Sequence, residues 1–221
     1  MLVQRIIEAL APAACAGCGQ QGRGLCSGCG VASPAAVARC YGCTRPAGAA
    51  NEACRICRLR APLAGVIAAA DYGGALREAI LALKFRHSRS LAGDLAGLIT
   101  ERCTPPAGLG LVTSVPIAPD RYRERGFNQS ELIARAVAAR WHLPYRMLLG
   151  RQAGDHQLGR SRRDRFTHVD GAFFAVKRLR GERVLIVDDV LTTGATLAEC
   201  SRVLTAAGAG EVWGATVARR R

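Results

Sequence analysis

The run from Arg183 to Thr196, RVLIVDDVLTTGAT, limits the folds open to this chain more than any other stretch. Val184, Leu185, Ile186 and Val187 form a short apolar run, rich in β-branched residues and bounded by polar ones. A strand buried on both faces of a parallel sheet reads this way. Asp188 and Asp189 then emerge at its C-terminal edge, where α/β folds hold ligands. Ionised carboxylates only accept hydrogen bonds, so a neighbouring pair suits the vicinal diol of a ribose or a divalent metal. Thr192, Thr193, Gly194, Ala195 and Thr196 follow with hydroxyl and N–H donors at a helix start, and Gly194 lets an anion approach the backbone. The stretch reads as a sugar-phosphate site.

An apolar strand ending in acids is also the second signature of a P-loop NTPase, where the carboxylate serves magnesium. That fold requires a partner motif ending in Gly-Lys-Ser/Thr. The chain has two lysines, Lys84 and Lys177, and neither follows a glycine. The P-loop reading is excluded.

Eight of the ten cysteines fall in four Cys-x-x-Cys pairs: Cys15/Cys18, Cys26/Cys29, Cys40/Cys43 and Cys54/Cys57. Such a turn folds two thiolates onto one tetrahedral ion, and two turns close a four-cysteine site. The pairs are separated by seven, ten and ten residues, short enough for sequential pairing into two structural zinc sites. The spacing also admits interleaved pairing and an iron–sulfur cluster on the same thiolates. Little apolar sequence lies between the pairs, so folding and metal binding are expected to be coupled.

At 221 residues the chain has room for a main domain of about 150 residues and a small appendage, placed at 61–221 and 1–60. No apolar run approaches the roughly 20 residues of a membrane span, and the amphipathic start MLVQRIIEALAPAAC reads as a short helix rather than a secretory signal. A cytoplasmic protein is expected. The 31 basic residues, all but two of them arginine, face 17 acidic ones and leave a net charge of +14. That excess favours polyanionic partners, because the arginine fork matches phosphates.

Beyond residue 60 the pattern alternates. Strands are expected at 64–72, 111–115, 146–150, 173–176, 184–187 and 212–217. Helices are expected after Gly73-Gly74, at 88–102, from Gly126 onward and at 194–207. Strands alternating with helices give a parallel α/β sheet. A loop carrying Arg121, Arg123 and Arg125 follows the second strand, and its cations suit a pyrophosphate. Residues 151–168 are basic and without period, as in a lid.

The stretch 183–196 resembles the phosphoribosyl pyrophosphate (PRPP) motif of type I phosphoribosyltransferases. Nearly the whole chain is similar to the ComF family, the competence-protein-F or GntX-like group. The resemblance rests on the paired cysteines, on Tyr72, Gly74, Leu76, Leu83, Lys84 and Phe85, and on Arg121 with Glu124-Arg125-Gly126-Phe127-Asn128-Gln129. It continues in Gln157, Gly159, Ser161 and Arg165, leading to Gly171-Ala172-Phe173. It implies a type I phosphoribosyltransferase-like parallel sheet flanked by helices, behind a small N-terminal double zinc ribbon, and a role in DNA uptake. By the same resemblance Asp188 and Asp189 would hold ribose hydroxyls of PRPP, with magnesium, and Thr192 to Thr196 its 5′-phosphate. Pro116 and Ile117 would line the pyrophosphate loop with Arg121 and Arg125, and Gln157 and Arg165 would belong to the lid. Single-stranded DNA and a competence helicase are the implied partners. His168 and Arg160 depart from the family's usual asparagine and leucine.

Two classes of function follow: a transferase that moves ribose 5-phosphate from PRPP to a nitrogenous base, and a binding protein that uses the same pocket while handling single-stranded DNA. A transferase needs a hood over the acceptor base. With so little sequence after the last expected strand, that hood would have to come from residues 58–103 or from the cysteine segment. The arginine-rich, aromatic-poor cysteine segment suits backbone contact with nucleic acid. The binding reading is therefore preferred.

Overall fold

The structure, a computed structural model, describes residues 14–47, 51–86, 88–152 and 171–220. The expected N-terminal helix and, from the expected lid, Gln157, Arg160, Arg165 and His168 lie outside these residues. The elements in chain order are α1 (Ser27–Ala32), α2 (Arg55–Arg60), β1 (Leu63–Asp71), α3 (Gly74–Phe85), α4 (Leu91–Arg102), β2 (Leu111–Ser114) and α5 (Pro119–Arg125). They continue with α6 (Gln129–Arg140), β3 (Leu149–Arg151), β4 (Phe173–Ala175), β5 (Arg183–Leu191), α7 (Ala195–Ala206) and β6 (Glu211–Arg219).

Four strands form a parallel sheet in the order β1-β6-β5-β2. The apolar run of β5 is buried on both faces as expected. Leu185 and Val187 pack with α3, α4 and α6, whereas Val184 and Ile186 pack with α7. Helix α6, which follows β2 and α5, and helix α7, which follows β5, thus lie on opposite faces, so the segments leading into them diverge at the C-terminal edge. That divergence opens a crevice between neighbouring strands.

Three expectations change in detail. The strand at 184–187 runs on through both aspartates to Leu191, because β6 keeps pairing with it as far as Leu191 with Arg219. The residues carrying Arg121, Arg123 and Arg125 form helix α5, which starts on Pro119 and ends on Gly126 in the left-handed region, its N–H donating to the Tyr122 carbonyl at 2.7 Å. These are standard helix start and stop residues. Finally, β3 and β4 do not join the parallel sheet; they pair antiparallel with each other. The ring of Phe174 lies against Gly150, where a Cβ would sit 2.2 Å from it, so glycine permits the pairing.

The cysteine segment is built into the domain. Ala35 bridges Ala70 and Glu52 bridges Gly65, both antiparallel to β1. Arg102, at the end of α4, donates to the carbonyls of Gly30 at 2.7 Å and Ser33 at 2.8 Å and so holds the end of α1.

Candidate functional site

The site begins where β2 stops. Its pairing with β5 ends at Ser114 with Val187, so the next two residues of β5, Asp188 and Asp189, have no strand neighbour on that side. The backbone after β2 turns away through Val115 to Ala118, and Asn128 fixes that turn. Its side-chain amide donates to the Val115 carbonyl at 2.9 Å while its oxygen caps α6 by accepting the Ser130 N–H at 3.1 Å. A cleft of about 230 Å³ results. Asp188, Asp189, Thr196, Pro116, Ile117, Arg121 and Arg125 line it, so seven of the expected residues meet around one space. Thr192 and Thr193 are exposed on the adjoining turn, Gly194 stands in the left-handed region at φ 76°, and Ala195 opens α7.

Each carboxylate is held. Ser130 Oγ donates to Asp188 Oδ1 at 2.7 Å, as does the Asp189 N–H at 2.9 Å. The buried Asp189 accepts from Gln129 Nε2 at 3.0 Å and pairs with Lys84 Nζ at 2.8 Å. Arg125, only 5% exposed, donates to Gln129 Oε1 at 3.1 Å and stacks over the Phe85 ring at 4.9 Å. Its Nε has no hydrogen-bond partner among the described residues, and burial beside Arg121 holds its guanidinium below the usual value. Burial and the neighbouring Asp189 push Asp188 up to about 7, against the opposing pull of Ser130, the Asp189 N–H and Lys84. Two acids ringed by Lys84, Arg121, Arg125 and Arg151 can take a ligand that is anionic at one end and rich in hydroxyls at the other.

Lys84, Gln129, Ser130 and Arg151 join the cleft without having been expected there as ligands. Ser130 and Gln129 had a local signal, since an Asn before an apolar-periodic run marks a helix N-cap and places the next residues in its first turn. Lys84 had none, because its pairing with Asp189 depends on how α3 crosses the sheet.

The cysteines assemble into two groups, Cys15, Cys18, Cys26 and Cys29, and Cys40, Cys43, Cys54 and Cys57, their sulfurs all within 4.8 Å of one another in each. Sequential pairing is therefore what the fold adopts. In both groups the first pair sits on a knuckle, closed by Cys15 N–H to Gln20 O at 2.8 Å and by Cys40 N–H to Arg45 O at 2.9 Å. In both, the second pair begins at a helix N-cap, Cys26 or Cys54. The 3.7 Å separations of Cys18 from Cys26 and of Cys43 from Cys54 match the sulfur spacing of about 3.8 Å implied by a tetrahedron with ~2.3 Å Zn–S bonds. Backbone N–H groups of Gly17 and Cys26 point at Cys15 Sγ at 3.4 Å, and that of Cys54 at Cys40 Sγ at 3.4 Å, as thiolate ligands require. The donor sets fit zinc.

A parallel sheet with this cleft at its C-terminal edge defines a phosphoribosyltransferase-type domain, here with two four-cysteine groups at its N-terminal side. Residues 129–221 match the model of the phosphoribosyl transferase domain. The DNA utilization protein YhgH of Salmonella typhi is 32% identical over 203 residues, spanning 86% of this chain and 88% of that one. The competence protein ComFC of Streptococcus pneumoniae is 32% identical over 98 residues, 44% of this chain and 43% of its own length. A solved structure of the allosteric regulatory enzyme of purine biosynthesis aligns over 59% of this chain and 26% of that chain, at 25% identity and a TM-score of 0.40. The chain belongs to the ComF family.

Two outcomes follow. Metal analysis should find two zinc ions per chain, and a strong chelator should unfold the cysteine segment, seen as lost amide protection over residues 14–47. With zinc retained and no magnesium added, the raised Asp188 pKa means that the folded state keeps a proton that the unfolded state releases above about pH 4. Its stabilising contribution is complete below pH 4 and is lost as pH rises through about 7. Denaturant unfolding at pH 5 and pH 8 should show Asp188→Asn gaining on the parent by roughly 2 kcal/mol at the higher pH.

Proposed function

We propose that this protein acts in DNA uptake and utilisation, binding PRPP or a related ribose phosphate in its cleft and single-stranded DNA on its basic surface. One observation carries the reading: an acidic pair beside the open edge of β5, next to a glycine-led helix start and ringed by cations. In this reading Asp188 and Asp189 receive the ribose hydroxyls, and the turn from Thr192 to Thr196 binds the 5′-phosphate through N–H and hydroxyl donors. Lys84, Arg121 and Arg125 face the pyrophosphate beside Pro116 and Ile117.

The carboxylates offer the hard oxygens that magnesium takes, and a magnesium ion carried with PRPP would neutralise part of the pyrophosphate charge. The chain's own task is to orient the ribose and to exchange Lys84 from Asp189 toward the incoming anion.

The names of the relatives support the DNA role, and the net charge of +14 supports the polyanion. No helix among the described residues is long and apolar enough to cross a membrane. Action in the cytoplasm, beside a competence helicase, is part of the same proposal.

A second reading, transfer of ribose 5-phosphate to a nitrogenous base, is favoured by the cations gathered in the cleft. In that reaction the bond from ribose C1 to pyrophosphate breaks with both electrons leaving on pyrophosphate, and a base nitrogen bonds to C1 as its proton is released to solvent. Fixed cations at the leaving group would lower that barrier.

Calorimetry with PRPP and magnesium should show binding that weakens at least about tenfold in the Asp188→Ala, Asp189→Ala double variant; unchanged affinity would remove the site assignment. Fluorescence titration with single-stranded oligonucleotides should show affinity falling steadily with salt, at a slope of roughly −0.7 per neutralised phosphate; a flat response would remove the polyanion argument.

A further inference from the structure

The two cysteine groups meet the sheet domain at different places. The first leans on α3 and α4: a Cβ at Gly17 would lie 2.4 Å from that of Ala75, and the Leu25 N–H donates to Asp94 at 3.0 Å. The second reaches the loop after β5. Tyr41, in the knuckle between Cys40 and Cys43, is 6% exposed. A Cβ at Gly194 would lie 2.7 Å from Tyr41 Cδ2 and 3.4 Å from the Tyr41 carbonyl oxygen. Gly194 is thus required both by its positive φ of 76° and by the ring pressed against it.

The far end of Tyr41 is tied to the ligand cage. Its hydroxyl donates to the Cys57 carbonyl at 3.3 Å. Next to it, a Cβ at Gly42 would stand 2.9 Å from Cys57 Sγ, so the backbone beside Tyr41 is seated on the same cage. A second link runs through α7, whose Arg202 donates to the Arg60 carbonyl of α2 at 3.2 Å.

We propose that the second cysteine group is the outer wall of the 192–196 turn, with Tyr41 as a positioning residue that carries its metal-held geometry to Gly194 and thereby sets the turn's affinity for a ribose 5-phosphate. The proposal rests on the reading of that turn as a phosphate site. The physical reason is preorganisation. Helix-start N–H groups bind an anion well only when the turn before them is already fixed, and a glycine-led turn has much conformational freedom to lose. Without its ion the knuckle has no core of its own to hold Tyr41 in place. The first group packs instead with α3 and α4, whereas the second shares its cluster with Leu191 and Leu197 on either side of the turn, so the two metal sites are unequal.

The test is made on the full chain, with zinc content, hydrogen exchange and calorimetry with ribose 5-phosphate as readouts. Tyr41→Ala should retain two zinc ions, lose amide protection over residues 193–198 and bind ribose 5-phosphate about tenfold more weakly. Tyr41→Phe, which keeps the ring against Gly194 and loses the hydroxyl's bond to the Cys57 carbonyl, should fall between Tyr41→Ala and the parent in both. Cys54→Ser should loosen the turn and weaken binding about tenfold more than Cys18→Ser, which strikes the other group. Parent-like protection and affinity in Tyr41→Ala, or equal effects of the two cysteine variants, overturns the proposal. If the parent binds no ribose 5-phosphate while Tyr41→Ala still loosens residues 193–198, the coupling stands and the phosphate reading falls.

Discussion

Strand β5 pairs with β6 for longer than it pairs with β2, and the site depends on that mismatch. On the β6 side the ladder runs to Leu191, which holds Asp188 and Asp189 in rigid extended backbone. On the β2 side it ends at Val187, so the same two residues face a gap where a further strand residue would otherwise lie. A carboxylate pair on a loop would sample many positions. A pair on a strand with one free edge is fixed in place and still open to a ligand. The burial of Val184 to Val187 on both faces of the sheet anchors it, each fully buried aliphatic side chain contributing about 1.5–3 kcal/mol.

Holding two acids at such a place is unfavourable unless neighbours compensate. Desolvation and mutual repulsion act together on Asp188, and the structure answers with hydrogen bonds from Ser130 and the Asp189 N–H. Asp189 receives a cation, Lys84, and an amide, Gln129. Without a ligand both acids are therefore already partnered, while Lys84, Arg121, Arg125 and Arg151 leave the cleft with an excess of positive charge, so a ligand must replace contacts at the acids and answer the cations. That exchange favours ligands that bring both hydroxyls and phosphates, because one class of group answers the acids and the other the released cations.

The cysteine groups solve a different problem. Residues 14–60 carry too few apolar side chains for a core, and the ligand cages stand in for one. Their placement makes them part of the larger domain: the segment lies along β1, is clamped by Arg102, and presses Tyr41 onto Gly194. A small module built on two four-cysteine groups thus serves as packing surface for a loop far from it in sequence.

Local sequence determined the elements that obey local rules. The buried β5 run, the acid pair, the helix opened at Gly194, the proline and glycine bracketing α5 and the four cysteine turns all follow from propensity, capping or ligand spacing over a few residues. Local rules could not give the length of the β5–β6 ladder or the withdrawal of β3 and β4 into their own antiparallel pair; for the cysteines, spacing pointed to the sequential grouping that the fold adopts and left an interleaved one open beside it. The meeting of Lys84 with Asp189 and of Tyr41 with Gly194 lay equally beyond local rules. Each is a contact between residues far apart in the chain, set by how helices cross the sheet and where each ladder ends. Tertiary packing decides such contacts because side chains there share one volume, and no residue's own neighbours in sequence record which partner will occupy it.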